Sequence, residues 1–236
     1  MQVDIVIPVY NEEEALPSSI RTLTGFLHDV SLFKARILIV DNASTDSTWA
    51  VAQSLEKQYP DVRALHIDRK GRGYALKVAW LQSDADVVSY MDVDLSTNLK
   101  FFPLLIHGIA LGYDVAVGSR LSQASQTTRS VKREIISRSY NRLIKLMFWN
   151  RFSDAQCGFK AVRREAAHRL LPHIENNNWF FDTELLLLAG RHGFKIFEVP
   201  VEWIEDLGST VKVLNTATED IKGLVRMRLN GFHQKL

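Results

Sequence analysis

Two carboxylates one residue apart, Asp92 and Asp94, follow the apolar residues 87–91. The apolar run is strand-like in composition, and in an open α/β sheet ligands collect beyond the carboxyl ends of the strands. Two hard oxygen ligands suit Mg²⁺ or Mn²⁺, and such an ion takes its remaining ligands from water and from substrate phosphates. The pattern predicts a metal site that serves a nucleotide or nucleotide-sugar. An idle, solvated acidic turn is the alternative.

Further acidic side chains follow the first two predicted strands. Pro8, Tyr10 and Glu12 lie at the end of the first strand, and Asp41 lies at the end of the second. Because the ends of parallel strands share one edge of a sheet, these side chains are expected in the crevice that also holds Asp92. There they would bind a base and a ribose. Taken alone, either acid is better explained as a helix N-cap.

Basic residues follow two other strands. Residues 70–73, Lys-Gly-Arg-Gly, come after the third predicted strand and open a helix. Backbone N–H groups, the helix dipole and two cations, Lys70 among them, would therefore face an anion such as a phosphate. A flexible basic turn explains this segment almost as well. Arg120 follows the strand at residues 115–117 and is expected to reach the same crevice.

A long basic stretch, residues 128–150, has helical spacing. Arg129, Arg133 and Ser137 recur at intervals of four, so they share one helical face. Two guanidiniums above a hydroxyl make a good seat for a phosphate. Further charge in this stretch comes from Lys132, Arg138, Arg142 and Lys145. A solvated basic face and contact with an anionic membrane surface are the alternatives.

Polar groups suited to sugar hydroxyls occur in two places. Residues 154–160 combine a carboxylate, the amide of Gln156 and an ammonium around a glycine turn. Residues 180–184 put Asp182 and Glu184 beside two phenylalanines, where the faces of a sugar can stack. Asp182 is equally well explained as a helix N-cap. The seven histidines show no zinc spacing with one another, and none is assigned as a ligand.

The elements that must position these side chains alternate between strand and helix. Apolar runs predict strands at residues 5–9, 37–40, 62–67, 87–91 and 115–117. Helical spacing occurs at residues 12–30, 45–58, 73–80 and 99–111. This alternation predicts an α/β fold with a mostly parallel sheet flanked by helices. After the basic stretch, the sequence predicts a polar turn at 153–158, a helix at 182–192, a strand at 196–203, a loop at 206–210 and an amphipathic helix at 218–229.

Composition places the chain among ordinary soluble proteins. It has 236 residues, 46% of them hydrophobic and 24% charged, which excludes disordered and fibrous classes. A net charge of +2 gives no argument for nucleic acid, and the single cysteine, Cys157, excludes an intramolecular disulfide. No leader is recognised, and no apolar stretch reaches the ~20 residues of a membrane span. A cytoplasmic protein is expected, with residues 218–229 either capping the core or lying on a membrane.

Taken in order, six motifs resemble those of the family 2 glycosyltransferases of GT-A fold. They are residues 7–12, 40–46, 70–73, 91–97, 118–120 and 154–160. The resemblance is strongest to the branch of dolichyl-phosphate (polyprenyl-phosphate) β-glucosyltransferases and mannosyltransferases, and it covers nearly the whole chain. It implies a single Rossmann-like GT-A domain with a C-terminal, helical acceptor-side subdomain. Residues 1–120 would form the nucleotide-sugar-binding half and residues 121–236 the acceptor-side half.

The resemblance also implies a role for each candidate residue. The nucleotide-sugar donor would be held by Pro8, Tyr10, Glu12, Asp41, Lys70, Asp92, Gln156 and Asp182. Asp92 and Asp94 would bind the divalent metal on the diphosphate, whereas Arg120, Arg133 and Ser137 would receive the phosphate of the lipid acceptor. Ser96 stands where mannosyl relatives have a glutamine, and residues 198–203 and 181–184 resemble the glucosyl branch. UDP-glucose is therefore expected as the donor rather than GDP-mannose.

The reaction implied is transfer of a hexose to a prenyl phosphate with inversion at the anomeric carbon. A phosphate monoester has its second pKa near ~6, so the acceptor is already nucleophilic and needs no strong general base. Asp92, Asp94 and Arg133 would act by positioning the reactants and stabilising charge. The alternatives are a transferase for a soluble glycan or protein acceptor, a nucleotidyltransferase, and a non-catalytic module that binds nucleotide-sugars.

Overall fold

A seven-stranded sheet forms the centre of the molecule in the computed structural model, which describes residues 1–30, 32–205 and 213–230. Its strands are β1 (Gln2–Val9), β2 (Lys34–Asn42), β3 (Val62–Ile67), β4 (Val87–Met91), β5 (Val115–Ser119), β7 (Phe159–Arg163) and β8 (Ile196–Pro200). The order is β3-β2-β1-β4-β7-β5-β8, and β7 alone among them runs antiparallel to its neighbours. The predicted α/β fold with a mostly parallel sheet is confirmed.

Helices cover the sheet. They are α1 (Leu16–Asp29), α2 (Thr48–Gln58), α3 (Arg72–Gln82), α4 (Phe102–Ala110), α5 (Val131–Phe148), α6 (Arg164–Leu170), α7 (Phe181–Arg191) and α8 (Val213–Leu229). Pro17 and Pro103 occupy the first turns of α1 and α4, where a missing backbone N–H costs nothing. Among the described residues, no helix is both long and apolar enough to cross a membrane.

The core lies between the sheet and its helices. Every residue of β4 and β5 is buried, as expected for strands covered on both faces, and this explains their continuous apolar runs. Trp80 of α3 packs between Tyr90 of β4 and Phe181 of α7, with ring centroids 6.0 Å apart in both pairs. These three rings form a buried aromatic layer between the sheet and the helices.

Two features of the second half differ from the sequence predictions. The predicted strand 196–203 is not continuous, because Pro200 ends β8 and lacks the N–H that would continue the ladder. The following strand, β9 (Glu202–Ile204), pairs instead with β6 (Gln126–Thr128) in a separate two-stranded sheet. Strand β7 was not predicted, since its sequence, Phe-Lys-Ala-Val-Arg, contains two cations. The predicted loop 206–210 lies outside the described residues.

Candidate active site

The loops that follow β1, β2 and β4 meet at one edge of the sheet. Strand β1 lies between β2 and β4, and Val9 at its end is paired with Asp41 at the end of β2. The Oδ1 atom of Asn11 accepts a hydrogen bond from the backbone N–H of Thr45 at 2.8 Å, and the Asn11 N–H donates to Ser44 Oγ at 2.9 Å. The predicted convergence of these strand ends is confirmed.

Backbone strain is concentrated in these same loops. Among the described residues, four that are not glycine have a positive φ, and three of them follow the converging strands: Asn11 at 56°, Ala43 at 58° and Leu95 at 49°. Side chains other than glycine rarely adopt this conformation, and it persists where the surrounding structure enforces it. The loops are thus held in a shape that suits binding at the strand ends.

The two aspartates after β4 have different environments. Asp92 Oδ1 lies 2.6 Å from Nη2 of Arg72, yet the Asp92 side chain remains 42% exposed. Gly158 lies against the other carboxylate oxygen, since a Cβ built on this glycine would be 1.9 Å from Asp92 Oδ2. Asp94 is exposed and accepts a hydrogen bond from the Ser96 N–H at 2.9 Å. One carboxylate is pinned and the other faces solvent.

A buried charge network lies beneath Asp92. Asp182 accepts from Nη1 of Arg72 at 2.7 Å, from Nζ of Lys160 at 2.7 Å and from the hydroxyl of Tyr90. Burial by itself would raise the pKa of the Asp182 carboxyl, but Lys160 and Arg72 hold it below its ordinary value. The network ties α3, β4, β7 and α7 together under the site.

Arg72 was not among the predicted site residues, although its segment was predicted to face an anion. The anions it contacts are the protein's own carboxylates, Asp92 and Asp182, which only the folded chain brings to it. Asp182 was predicted to contact the donor. It is instead buried and surrounded by Arg72, Lys160 and Tyr90, so its influence on a ligand would be exerted through Arg72. The cap of α7 is Phe180 rather than Asp182.

The loops after β2 and β3 form a second polar cluster. Asp41 is fully buried, and its Oδ2 atom lies 2.6 Å from Nδ1 of His66. The second ring nitrogen of His66 lies 3.2 Å from Asp68, so a carboxylate faces each nitrogen. The hydrogen bond to Asp41 raises the pKa of His66. The sequence offered no signal for His66, because its buried partner Asp41 comes from another strand.

Lys70 and Tyr10 lie together beside this cluster. The ammonium of Lys70 is 3.4 Å from the centre of the Tyr10 ring, a cation–π contact. Glu12 is anchored through its backbone N–H, which donates to Thr48 Oγ1 at 2.7 Å. Two predicted donor residues from different segments are thus in direct contact, and a third lies in the same loop.

Two of the predicted acceptor-side arginines form ion pairs. Arg120 makes a bidentate contact with the buried Asp154, at 2.7 Å from Nε and 3.0 Å from Nη2. Arg133 Nε lies 2.9 Å from Glu205. The hydroxyl of Ser137 is buried and has no hydrogen-bond partner within the described part of the chain. Such an orphaned buried hydroxyl is uncommon and calls for a ligand or a water.

The predicted triplet of Arg129, Arg133 and Ser137 is only partly helical. Helix α5 begins at Val131, so Arg129 precedes the helix and pairs with Glu134 instead of joining the same face. The spacing of four was correct for Arg133 and Ser137, which both belong to α5.

The turn 154–158 connects these groups. Asp154 holds Arg120, the Ala155 N–H donates to Asn141 of α5 at 2.9 Å, and Gly158 contacts Asp92. Gln156 donates from Nε2 to Asp220 Oδ2 of α8 at 2.7 Å. The five-residue turn therefore joins the strand-end aspartates to the helices of the second half.

Asp220 was missed by the sequence prediction, and it gives a test by pH. Burial raises its pKa to about 7, whereas an unfolded aspartate has a pKa near ~3.9. A raised carboxyl pKa gives stability that is complete below about pH 4 and is lost as the pH rises through 7. Asp220→Asn is therefore expected to gain stability relative to wild type between pH 4.5 and 7.5. Urea unfolding across this range measures the difference.

The matched control for Asp220 is Asp61→Asn, because Asp61 is exposed at the start of β3. Its difference from wild type is expected to stay flat with pH. A flat profile for Asp220→Asn as well would contradict an elevated pKa for the buried carboxyl.

Fold and strand-end site together define a glycosyltransferase of GT-A type. Residues 4–171 match the family model described as "Glycosyl transferase family 2". Since this match covers more than half of the sequence, the chain belongs to glycosyl transferase family 2.

Curated relatives cover nearly all of the chain. The glycosyltransferase AglD of Haloferax volcanii is 37% identical over 216 residues, which are 89% of this chain and 34% of that protein. A dolichyl-phosphate beta-glucosyltransferase of Trichomonas vaginalis is 32% identical over 93% of this chain and 72% of its own length. The one of Mus musculus is 31% identical over 88% and 69%. The chain thus spans about a third of the first relative and roughly 70% of the others.

Solved structures share the fold at low sequence identity. Glucosyl-3-phosphoglycerate synthase of Mycobacterium tuberculosis superposes with a TM-score of 0.73 at 17% identity, covering 96% of this chain and 80% of that one. The same enzyme has been crystallised with Mn²⁺, UDP-glucose and phosphoglyceric acid, and that structure also gives a TM-score of 0.73, at 16% identity and 97% and 80% coverage. At this identity the likeness establishes the fold alone.

Proposed function

We propose that this protein transfers glucose from UDP-glucose to a polyprenyl or dolichyl phosphate, with inversion at the anomeric carbon. The observation that carries the proposal is the turn 154–158, which joins Asp92 to Arg120, α5 and α8. A donor bound at the strand ends and an acceptor phosphate bound at α5 would therefore lie on either side of this turn, close to each other. The names of the dolichyl-phosphate beta-glucosyltransferase relatives support the choice of substrates.

The donor half of the proposed site is residues 1–120. Pro8, Tyr10 and Glu12 would hold the nucleoside, and Lys70 would face the diphosphate. The fully buried Asp41 would act on the nucleoside through His66, which it contacts at 2.6 Å. The support is their placement on adjoining loops whose conformation is enforced by the Asn11 hydrogen bonds. UDP-glucose is proposed as the donor because residues 198–203 and 181–184 resemble the glucosyl branch of the family.

A divalent cation, Mg²⁺ or Mn²⁺, is proposed as the cofactor, held by Asp92 and Asp94. Their carboxylate oxygens fit such an ion, because hard oxygen ligands are the ones that Mg²⁺ and Mn²⁺ prefer. Both side chains are exposed enough for a bound ion to contact a substrate phosphate as well. When bound, the ion supplies Lewis-acid stabilisation of a leaving diphosphate. Arg72 holds the Asp92 carboxylate in its orientation by the 2.6 Å ion pair.

The acceptor half is residues 121–236 together with Arg120. We propose that Arg133 and Ser137 bind the acceptor phosphate, with Arg120 beside them. Arg133 would exchange Glu205 for the more highly charged phosphate, and the orphaned hydroxyl of Ser137 would find a partner. Gln156, held by Asp220, would contact the sugar between the two halves. The acceptor is a dianion at neutral pH, so positioning takes the place of general-base catalysis.

Because the proposed acceptor is a lipid, the protein would work at a membrane. Its location is proposed as the cytoplasmic side, peripheral to the bilayer. Nothing about the composition or charge suggests nucleic acid as a partner.

Substitution of Gly158 gives a stringent test of the proposed metal site. In Gly158→Ala the new Cβ would overlap Asp92, whose carboxylate cannot move freely because Arg72 holds it. The variant is expected to bind Mn²⁺ with UDP at least about tenfold more weakly, and to lose about 1–3 kcal/mol of stability from overpacking. Titration calorimetry and urea unfolding measure the two effects.

Gly25→Ala is the matched control, because a Cβ at Gly25 meets nothing within 4 Å. It lies within α1, where alanine is the better helix former, so binding should be unchanged and stability equal or higher. Wild-type metal affinity in Gly158→Ala would mean that Asp92 is not a ligand.

The proposed function itself is tested by a transfer assay with a small panel of substrates. Purified protein is given UDP-glucose or GDP-mannose, with Mn²⁺, and either a short-chain prenyl phosphate or a soluble glycan. Glucose transfer to the prenyl phosphate is expected. Preference for GDP-mannose, transfer to the soluble acceptor, or donor binding without turnover would each identify one of the alternative functions and overturn the proposal.

A further inference from the structure

Helix α5 has an unusual outer face. Ten of its residues are exposed, and five of these are aliphatic while four are basic. The aliphatic ones are Val131, Ile135, Ile136, Leu143 and Leu146, and the basic ones are Lys132, Arg138, Arg142 and Lys145. The tenth is Ser139, so no acid lies on this face. The solvent side of an amphipathic helix is normally polar, whereas half of the exposed residues of α5 are aliphatic.

Helix α8 packs against α5 and repeats the pattern. Its described exposed residues are Thr218, Ile221, Lys222, Val225, Arg228 and Leu229, again without an acid. The opposite side of α8 buries Leu224 and Met227 in the core. Of the two alternatives predicted for residues 218–229, capping of the core is seen on one side of the helix. The other side is exposed, apolar and basic.

Trp149, directly after α5, is the most exposed large apolar side chain of the described residues, at 87%. It is also the fourth non-glycine residue with a positive φ, at 55°, and the only one away from the strand-end loops in the described chain. A bulky residue in this conformation is uncommon. It borders a groove of about 880 Å³ whose lining includes Arg151, Lys195 and Arg228. Tryptophan beside cations is typical of membrane interfaces.

We infer that the exposed faces of α5 and α8, with Trp149, form a docking surface for an anionic lipid bilayer. We call it the α5–α8 face. The aliphatic side chains would enter the boundary between headgroups and acyl chains. The charged ends of the Lys and Arg side chains would extend toward anionic headgroups. Arg133 and Ser137 lie on the same helix and are partly buried, so docking would bring the proposed phosphate-binding residues close to the bilayer surface. The inference rests on the proposed function for its lipid acceptor.

Charge distinguishes a bilayer from a second copy of this chain as the occupant. A symmetric dimer through the α5–α8 face would place identical patches against each other. Each patch carries six cations, Lys132, Arg138, Arg142, Lys145, Lys222 and Arg228, of which Arg138 pairs with the partly exposed Glu134 of its own helix. Like charges in contact are unfavourable. Anionic lipid headgroups supply the missing negative charge.

Vesicle flotation tests the inference with the full chain. Wild type is expected to float with vesicles containing phosphatidylglycerol and to remain behind with pure phosphatidylcholine. The double variant Ile135→Glu, Leu146→Glu is expected to lower the bound fraction at least about tenfold, because it adds charge and removes apolar contact at exposed positions. The matched control is Leu104→Glu, Leu111→Glu, two exposed leucines at α4 and its end, which should float like wild type.

A second measurement separates docking from catalysis. With a water-soluble short-chain prenyl phosphate, the α5–α8 double variant should retain wild-type transfer, whereas transfer to a long-chain acceptor in vesicles should fall. Flotation without transfer to either acceptor would overturn the proposed function alone. Equal flotation of the double variant and wild type would overturn the docking surface, as would a wild-type dimer that the double variant dissociates in sedimentation.

Discussion

Asp94→Ala is expected to lower metal-dependent transfer at least about 10³-fold, the largest effect of any exposed substitution in the chain. Asp94 is the more exposed of the two proposed metal ligands. Removing it takes away half of the protein's proposed ligands for the ion that would neutralise the leaving diphosphate. Because the side chain is exposed, the urea midpoint should stay that of wild type. Initial rates at saturating UDP-glucose, with Mn²⁺ varied, measure the effect.

The readout for Asp94 need not depend on turnover. Calorimetry of Mn²⁺ with UDP should show weaker binding in Asp94→Ala and unchanged binding in Asp61→Ala, an exposed acid far along the chain from β4. A purified Asp94→Ala protein that keeps full metal-dependent activity would remove Asp94 from the metal site. Asp92→Ala is a less clean experiment, because it also deprives Arg72 of an ion-pair partner.

Asp182→Ala is expected to cost about 3–5 kcal/mol of stability, the cost typical of breaking a buried ion pair from one side. The buried Lys160 would lose its carboxylate partner, Arg72 would keep only Asp92 of its two, and the Tyr90 hydroxyl would lose its carboxylate acceptor. Typical domains have only about 5–15 kcal/mol in total, so the variant should be marginal at 37 °C. Urea unfolding at pH 7 gives the difference in unfolding free energy.

An ion pair at the surface provides the comparison for Asp182. Asp84 contacts Arg36 but is exposed, so Asp84→Ala should leave the urea midpoint close to that of wild type. Asp182→Asn keeps the volume and one acceptor oxygen, and an intermediate loss is expected. If Asp182→Ala unfolded at the wild-type midpoint, the buried network would not be the support of the site.

The predictions for Asp94 and Asp182 assign different roles to the two carboxylates near the end of β4. On the proposed function, Asp94 would contribute to chemistry and little to stability, whereas Asp182 would contribute to stability and act on the site through Arg72. Asp92 lies between them, pinned by Arg72 on one oxygen and closed in by Gly158 on the other. The rigid lower layer keeps the proposed metal ligand in place while its neighbour remains accessible.

Much of the site was predictable because the relevant signals are local. A strand that is buried on both faces is read directly from a continuous apolar run, and the residue after it must lie at the sheet edge. The positions of Asp41, Asp92 and Asp94 at strand ends were predicted in this way, and the spacing placed Arg133 and Ser137 on one helix. Their roles in binding stay predictions. The errors occurred where a local pattern was interrupted, as at Pro200 and at the charged strand β7.

The sequence by itself determined the α/β alternation, the strand ends that carry acids, and the basic composition of α5, since each depends on neighbours within a few residues. Only the tertiary structure decided which charges pair: Arg72 with Asp92 and Asp182, His66 with Asp41, and Gln156 with Asp220. These partners lie 20 to 110 residues apart in the chain. Such pairs arise from the order in which strands enter the sheet, and residue spacing carries no record of that order.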